Sequence, residues 1–182
     1  MTARFSAASA AVLAKASQVR LMIFDVDGVL TDGGLYYGAD GEPIKRFNAL
    51  DGHGIKLLQQ YGVATAIITA RQSPIVLRRA QDLGIAHVFQ GVHDKRVAFA
   101  QLLEQTNIST NASGYIGDDV IDLPILSRAG FTASVANGHD AVKSRVDYVT
   151  TATGGNGAAR EVCDLILHAQ GHYDTAVAAY LA

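Results

Sequence analysis

A short apolar run that ends in two acids and a glycine constrains the fold of this chain more than any other stretch. Residues 20–24 read Arg-Leu-Met-Ile-Phe, and Asp25, Asp27 and Gly28 follow at once. Such a run is typical of a buried strand, and the glycine indicates that the chain then turns away. Two carboxylates at the end of a buried strand are costly unless a cation or hydrogen-bond donors satisfy them. The stretch is therefore either a solvated acidic loop or a hard-metal site with one carboxylate free to attack.

Size and composition limit the classes of protein to consider. The chain has 182 residues, of which 49% are hydrophobic, and this predicts one domain over residues 1–182 with a substantial core. The net charge is −2 and there is no Lys/Arg block, so a surface for nucleic acid or an anionic membrane is not expected. No run is long enough to span a membrane, and residues 6–19 lack the pattern of a signal peptide. With Cys163 as its one cysteine, the chain is expected in the reducing cytoplasm.

The order of the predicted elements indicates the fold class. After the first strand we expect a β-hairpin at residues 35–47, with its turn at residues 39–42, and then strands that alternate with helices. We also expect a helix within residues 1–19, a helix that starts at Ser73-Pro74 with Ser73 as its cap, and an uncommitted tail at residues 171–182. The alternation predicts an α/β fold, a doubly wound parallel sheet with right-handed crossovers. Further strands are predicted at residues 63–68, 87–89, 114–116, 132–135 and 148–150, and further helices at residues 51–61, 73–83, 95–105, 123–128, 140–145 and 158–169.

Polar side chains follow several of these strands. Thr69 ends the second buried strand, Lys95 opens a helix, and Asp118 and Asp119 end the strand at residues 114–116. Asp122 lies one turn further on. Each has an ordinary structural explanation, since a lysine at a helix start usually faces solvent. Because ligands gather outside the carboxyl ends of parallel strands, we nevertheless expect these groups to converge with the first acid pair.

These groups suit phosphoryl transfer. Carboxylates bind Mg²⁺ through oxygen, and the metal neutralises phosphate charge, so that one carboxylate can attack phosphorus. Thr69 and Lys95 can hold the phosphate oxygens. Asp27, as the second acid of the pair, can protonate the leaving alcohol and later activate water. The sequence therefore predicts Asp25, Asp27, Thr69 and Lys95 as catalytic residues.

The same residues carry a family resemblance. The stretch Asp25–Asp32 resembles the first motif of the haloacid dehalogenase superfamily of phosphatases, and Thr69, Lys95 and Gly117–Asp122 match its second, third and fourth motifs in order. Between about residues 20 and 170 the chain resembles one branch, the 3-deoxy-D-manno-octulosonate 8-phosphate phosphatases. Ala70 departs from that branch, which usually has glycine there, and the same backbone path is expected. The branch-level matches are Asp32-Gly33, Phe47, Asp51–Ile55, Phe89–Gly91 and Gly154–Asp164.

The resemblance implies how the site is built. It implies a Rossmann-like core without a cap domain, in which the strands stand in the order 5-4-1-2-3. It also implies that the Asp25 carboxylate, the Asp27 carbonyl and Asp118 bind Mg²⁺, with Asp119 as an auxiliary acid behind them and Asp122 as a structural residue. The implied reaction is hydrolysis of the octulosonate 8-phosphate, a phosphosugar acid of lipopolysaccharide precursor synthesis, through an aspartyl-phosphate.

The resemblance further implies a homotetramer, in which hairpins join at the centre and neighbouring chains close each site. Tyr36, Tyr37, Ile44 and Phe47 make the hairpin apolar enough for burial between subunits. The alternative is a hairpin folded against its own domain.

Substrate recognition is expected from the loops and from two arginines. Arg71 follows Thr69 and is placed to contact a sugar acid, together with Asp32 and Gly33. Arg79 falls inside the apolar arc of its helix, where a guanidinium needs an anion. That anion is Asp82, a helix end, or the substrate carboxylate in a neighbouring subunit's site. His53 either lines the site or has a structural role.

The sequence leaves three other functions to consider. One is a phosphatase for a nine-carbon sugar acid 9-phosphate, although such relatives tend to carry an acid where Arg71 stands. A second, from a different class, is a phospho-accepting receiver domain, which also uses acids, Mg²⁺, threonine and lysine. Receivers place the acid pair at the first strand and the acceptor at the third, whereas this chain has its acceptor first. An inactive oligomerisation domain is a third, against which the intact motifs argue.

Overall fold

A computed structural model describes residues 8–39 and 43–181. Its elements follow the predicted alternation closely, and short 3₁₀ turns precede β6 and α5. None of the helices in these residues combines the length and the apolar character that crossing a bilayer requires. In chain order the elements are α1 (Ala10–Ser17), β1 (Leu21–Phe24), β2 (Tyr36–Tyr37), β3 (Pro43–Ile44), α2 (Ala49–Gln60), β4 (Ala64–Ile68), α3 (Pro74–Leu83), β5 (His87–Phe89), α4 (Lys95–Thr106), β6 (Ser113–Gly117), α5 (Leu123–Leu126), β7 (Phe131–Ser134), α6 (Asp140–Lys143), β8 (Tyr148–Val149), α7 (Ala158–Ala169) and α8 (Tyr173–Ala178).

The main sheet of the described residues has six parallel strands in the order β5-β4-β1-β6-β7-β8. Counted along the chain within this sheet, its first five strands stand in the expected order 5-4-1-2-3, and β8 is added beside β7 at one edge. β1 lies between β4 and β6, with Phe24 opposite Ile67 and Ile116. The winding reverses between β1 and β6, and in sheets of this kind a ligand crevice forms at that point.

Two apolar layers cover the sheet. In β1, Met22 and Phe24 face the layer built with α1, α2, α3 and α7, whereas Leu21 and Ile23 face the layer built with α4, α5 and α6. This division follows from the alternation of side chains along a strand. Because helices cover both faces, the polar residues that follow the strands are held at the sheet's carboxyl edge. The expected doubly wound architecture is confirmed.

β2 and β3 form a separate antiparallel pair, which confirms the hairpin, although residues 40–42 of its turn lie outside the described residues. Elsewhere in the described chain no segment forms a unit apart from the sheet and its helices, in agreement with the expected absence of a cap. Leu35, Tyr36, Tyr37 and Ile44 expose their side chains. Phe47 was expected on the same exposed face, but it packs against the chain's own core. The reason is its position directly before the start of α2, which turns the ring inward.

The C-terminal segment corrects a prediction. Residues 171–182 were expected to be an uncommitted tail, but they contain α8. Gly171 ends α7 with a φ of 75°, the His172 ring stacks on Tyr61 at 4.9 Å between centroids, and Ala176 is buried. Tyr173, Ala176 and Val177 stand at positions i, i+3 and i+4, the spacing of one face of a helix. The sequence interpretation missed this signal.

Two helix starts can be compared with expectation: α1 lies within the predicted residues 1–19, whereas the cap of α3 differs. α1 begins at Ala10, with the Ser9 side chain accepting from the Val12 N–H, while residues 1–7 lie outside the described chain. Ser73 occupies the N-cap position of α3 with Pro74 after it, as expected. Its hydroxyl, however, makes no capping hydrogen bond and is buried.

Candidate active site

Asp25 is held at the end of the central strand. Its N–H donates to the carbonyl of Ile116 at 3.1 Å, which continues the pairing of β1 with β6 for one more residue. The side chain is almost completely buried. Its Oδ1 lies 3.0 Å from the Lys95 Nζ as an ion pair, but without the geometry of a hydrogen bond, so this oxygen has no hydrogen-bond partner. A buried carboxylate oxygen left in this state is costly without a ligand.

Lys95 lies in a buried polar cluster behind Asp25. It is the first residue of α4, and its Nζ lies 2.6 Å from the Asp122 Oδ1 and 3.0 Å from the Tyr115 hydroxyl oxygen. The Tyr115 hydroxyl donates to the same Asp122 oxygen at 2.6 Å. Burial alone would lower the pKa of Lys95, but Asp25 and Asp122 outweigh it and raise that pKa, so the ammonium stays charged.

Asp122 is fully engaged within the protein. Besides Lys95 and Tyr115 on Oδ1, its Oδ2 accepts from the backbone N–H groups of Asp118 at 3.0 Å and Asp119 at 3.2 Å. It therefore fixes the loop after β6, as the structural role expected for it requires. Asp119 in turn accepts from the Val120 N–H at 2.7 Å and starts the 3₁₀ turn that ends at Asp122.

Asp118 follows β6 and faces Asp25 across the sheet's edge. Carboxylate oxygens of Asp25, Asp118 and Asp122 lie within 4.8 Å of one another. Burial, with Asp122 and Asp119 adding to it, raises the pKa of Asp118 to about 7. Burial and then Asp122 also raise the pKa of Asp25, against the opposing effect of Lys95. The cluster thus holds more negative charge than one lysine neutralises, and with an Asp25 oxygen that no hydrogen bond satisfies it fits a hard divalent cation.

Gly28 permits the close approach of these acids. Its φ is +91°, and a Cβ added there would lie 2.1 Å from the Asp118 Oδ2. The turn that carries Gly28 is itself covered by the segment before α7, because a Cβ on Gly154 would lie 1.7 Å from the Gly28 carbonyl oxygen. The Gly155 N–H donates to the Val29 carbonyl at 2.9 Å in the same contact. The glycine-rich motif noted in the sequence therefore holds the turn after β1.

Asp27 lies on that turn between two cations. The Lys45 Nζ contacts its Oδ1, and the Arg71 Nε lies 3.7 Å from its Oδ2. The sequence interpretation placed Arg71 near the site but missed Lys45. The available signal was alternation, because Lys45 stands two residues before the inward-facing Phe47 in an extended run.

A cavity of about 260 Å³ opens above these groups. The structure thus brings together most of the residues predicted from the strand ends, with Lys95 lying beneath Asp25. A second cavity, of about 290 Å³ and under the hairpin, shares Leu35 and Arg71 with the first. The first cavity is lined by Asp25, Asp27, Gly33, Leu35, Thr69, Ala70, Arg71, Asp118, Asp119 and Ile121.

Besides Lys95 and Asp122, which are buried behind Asp25, three further predicted residues do not line this cavity. Arg79 donates to the Asn48 carbonyl at 3.1 Å, at the start of α2, and Asp82 pairs with Arg78 instead. Asp32 accepts from the Tyr36 hydroxyl at 2.7 Å and so braces the base of the hairpin. His53 is exposed on α2, with its ring edge-on to Tyr180.

Comparison with known proteins identifies relatives over most of the chain. The family model for haloacid dehalogenase-like hydrolases matches residues 83–162. The 3-deoxy-D-manno-octulosonate 8-phosphate phosphatase of Escherichia coli is 48% identical over 168 residues, which cover 92% of this chain and 89% of that protein. The phosphatase of the same name from Moraxella catarrhalis, solved with magnesium, phosphate and the octulosonate, has a TM-score of 0.91 and 45% identity and covers 93% and 97% of the two chains. The Yersinia pestis structure has a TM-score of 0.89 and 44% identity, covering 91% and 89%.

Proposed function

The chain belongs to the haloacid dehalogenase-like hydrolases, in the branch of the 3-deoxy-D-manno-octulosonate 8-phosphate phosphatases, and from this premise we propose its reaction. It is a Mg²⁺-dependent phosphomonoesterase that hydrolyses 3-deoxy-D-manno-octulosonate 8-phosphate to the free sugar acid and phosphate. The product is a precursor of lipopolysaccharide. The observation that carries this proposal is the buried Asp25 at the floor of the cavity, with a carboxylate oxygen within 4.8 Å of one from Asp118 and an Oδ1 that no hydrogen bond satisfies.

Asp25 is proposed as the nucleophile. Its carboxylate attacks phosphorus and the bond from phosphorus to the sugar oxygen breaks, which leaves an aspartyl-phosphate. Lys95, which already contacts Asp25, and the Thr69 hydroxyl hold the phosphate oxygens as charge moves during the transfer. Water then attacks the same phosphorus, and the bond to Asp25 breaks to release phosphate.

Asp27 is proposed as the acid and base of both steps. Its carboxyl group gives a proton to the leaving sugar oxygen in the first step and, as a carboxylate, takes a proton from the attacking water in the second. Its position on the rim of the cavity, next to Asp25 but less buried, supports this role.

The Asp25 and Asp118 carboxylates, with the Asp27 carbonyl, are proposed to hold Mg²⁺. When bound, the metal neutralises the charge of the phosphate group and orients it. Asp122 is not proposed as a ligand, because Lys95, Tyr115 and two backbone N–H groups already occupy both of its oxygens. Asp119 is proposed as an auxiliary acid behind the ligands.

Recognition of the sugar acid is proposed to depend on Arg71, with Gly33 and Asp32 shaping the loop above the nucleophile. Arg71 lines both cavities, and its side chain is 54% exposed, so it can turn toward a carboxylate. Arg79 is proposed to act on the site of a neighbouring subunit. Its half-buried position beside Phe47, at the edge of α2, supports a role outside its own cavity.

The active form is proposed to be a homotetramer in the cytoplasm. The hairpin exposes four large apolar side chains, and residues 8–39 and 43–181 form no cap, so a neighbouring subunit could both bury these side chains and close the site. The buried free thiol of Cys163 supports a reducing compartment.

A panel of phosphate esters tests the proposed function. Phosphate release should show the highest kcat/KM for the octulosonate 8-phosphate, above a nine-carbon sugar acid 9-phosphate and above neutral phosphosugars. Excess chelator should abolish turnover and added Mg²⁺ should restore it. A nine-carbon acid turned over faster would contradict the substrate, and full activity in metal-free buffer would contradict the metal.

A further inference from the structure

Lys45 lies where the hairpin meets the active site. It directly follows β3, next to the exposed Ile44, yet its own side chain is only 7% exposed. The Nζ contacts the Asp27 Oδ1. The hairpin therefore presents apolar side chains outward and one ammonium group inward, onto the proposed acid and base.

Lys45 is better placed than Arg71 to fix Asp27. The Arg71 Nε lies 3.7 Å from the Asp27 Oδ2, and its side chain is 54% exposed, so solvent screens that pair. The Lys45–Asp27 pair is largely removed from water. Because an ion pair is stronger in such surroundings, it holds the Asp27 carboxylate more firmly in place.

Lys45 also approaches Asp27 from outside the reaction cavity. Asp27 lines the cavity above Asp25, whereas Lys45 lines the neighbouring cavity under the hairpin. Lys45 therefore contacts the Asp27 carboxylate without lining the cavity above Asp25. This arrangement fits a residue that acts through Asp27.

We propose that Lys45 is a positioning residue for Asp27, which makes the hairpin part of the proton-transfer apparatus. The inference rests on the proposed phosphatase function. The ammonium holds the carboxyl group at one orientation on the turn. Asp27 then gives its proton to the leaving oxygen as the phosphorus–oxygen bond breaks, and takes one from water in the second step. Misplacing a reacting group by about 1 Å can cost about 100-fold in rate.

The substitution Lys45→Met tests this role, because it keeps the length of the side chain and removes the charge. We expect kcat on an alkyl phosphate to fall by about 10- to 100-fold, and kcat on p-nitrophenyl phosphate to fall much less, since an aryl leaving group needs little protonation. KM and the Mg²⁺ concentration for half-maximal activity should stay near those of the wild type. Lys45→Arg should recover part of the loss, and Lys56→Met, an exposed lysine on α2, should have no effect.

A double substitution with Asp27→Asn separates positioning from substrate binding. If Lys45 acts through Asp27, adding Lys45→Met to Asp27→Asn should change kcat by less than about twofold. The proposal would be overturned if the double variant lost kcat by the product of the two single losses. An equal loss on alkyl and aryl esters, or a rise in KM alone, would also overturn it. Circular dichroism and sedimentation check the fold and assembly of every variant. If Lys45→Met does not fold, Lys45→Gln replaces it.

The outcome is independent of the exact sugar. If the wild type fails on the octulosonate 8-phosphate but hydrolyses another alkyl ester of the panel, the same comparison runs on that ester. The wild-type panel then shows whether the proposed substrate is wrong. The ratio of alkyl to aryl kcat in Lys45→Met shows whether the proposed role of Lys45 is wrong.

Discussion

At the scale of single residues, the acids of the site differ in how far the protein already satisfies them. Asp122 has both oxygens bonded, to Lys95, Tyr115 and two backbone groups, and so can only support the loop. Asp25 is as deeply buried but keeps one oxygen without a hydrogen bond. Residues of the same type, a few ångströms apart, are therefore suited to different tasks by their contacts alone.

Substitutions of Asp25 and Asp27 should separate the nucleophile from the acid and base. Asp25→Asn leaves no carboxylate to form an aspartyl-phosphate, so turnover should be lost on every ester. Asp27→Asn keeps the backbone carbonyl, so Mg²⁺ binding should persist while kcat falls by about 10²- to 10⁴-fold. The loss should be smaller on an aryl phosphate, where a burst of alcohol should precede slow turnover. Equal losses on alkyl and aryl esters, without a burst, would assign Asp27 a metal or folding role instead.

Gly28→Ala should weaken the metal site. The new Cβ would lie 2.1 Å from the Asp118 Oδ2, so Asp118 or the turn must move. We expect the Mg²⁺ dissociation constant, measured by calorimetry, to rise by about tenfold or more, since a 1 Å shift of a ligand is poorly tolerated. Gly62→Ala is the matched control, because Gly62 has a φ of +82° and nothing within 4 Å of the added Cβ. It should reproduce the backbone strain and leave Mg²⁺ affinity unchanged. An equal loss in both variants would mean that strain, and not contact with Asp118, is responsible.

At the scale of elements, sequence patterns predicted most of the features that depend on neighbouring residues in the chain, such as the strands and helices. Buried strands followed from apolar runs, and the convergence of the acids followed from the rule that ligands gather at the carboxyl ends of parallel strands. Lys45 and Tyr115 were missed because their roles depend on partners brought near by tertiary packing. α8 was missed because a short helix after Gly171 gives only a weak periodic signal. A local sequence pattern predicts the position of a side chain in its helix or strand, but not the distant residues that contact it in the folded protein.

The hairpin should be the assembly element. Tyr37 is 63% exposed, and Tyr37→Asp would place a charge on its apolar face. Sedimentation should then show loss of the tetramer, together with a fall in kcat/KM on the sugar acid phosphate that exceeds the fall on an aryl phosphate. Val97→Asp, an exposed apolar residue on α4, is the control and should leave assembly intact. A wild-type protein that is monomeric and fully active at micromolar concentration would exclude this role.

At the scale of the whole molecule, the fold gathers negative charge at one edge of the sheet while the chain as a whole is near neutral. The burial that raises the pKa of Asp118 to about 7, from a usual value of 3.8, is a consequence of two layers of helices closing around that edge. The folded, metal-free protein thus binds protons near neutral pH that the unfolded chain has already lost.

This charge should link stability to pH and to metal. Between about pH 4 and pH 7 the folded state carries more protons at Asp118 than the unfolded chain, so the free energy of unfolding should fall as pH rises through that window. With saturating Mg²⁺ the carboxylates are held ionised, and most of this slope should vanish. Urea unfolding at several pH values, with and without Mg²⁺, measures both curves. Parallel curves would show that the acids of the cluster do not bind the metal.

The contact of Gly154 and Gly155 with the turn after β1 affects when the active site can fold during synthesis of the chain. The Val29 carbonyl accepts from the Gly155 N–H and Gly154 packs against the Gly28 carbonyl, so both contacts come from the segment before α7, far along the chain. A ribosome releases Asp25 before this segment. A nascent chain that ends before Gly154 therefore carries every acid of the site without the backbone that holds them in place. We therefore expect the chain to become competent for chemistry only once this segment has been synthesised, after β4, β5 and β6 have emerged to build the sheet around β1.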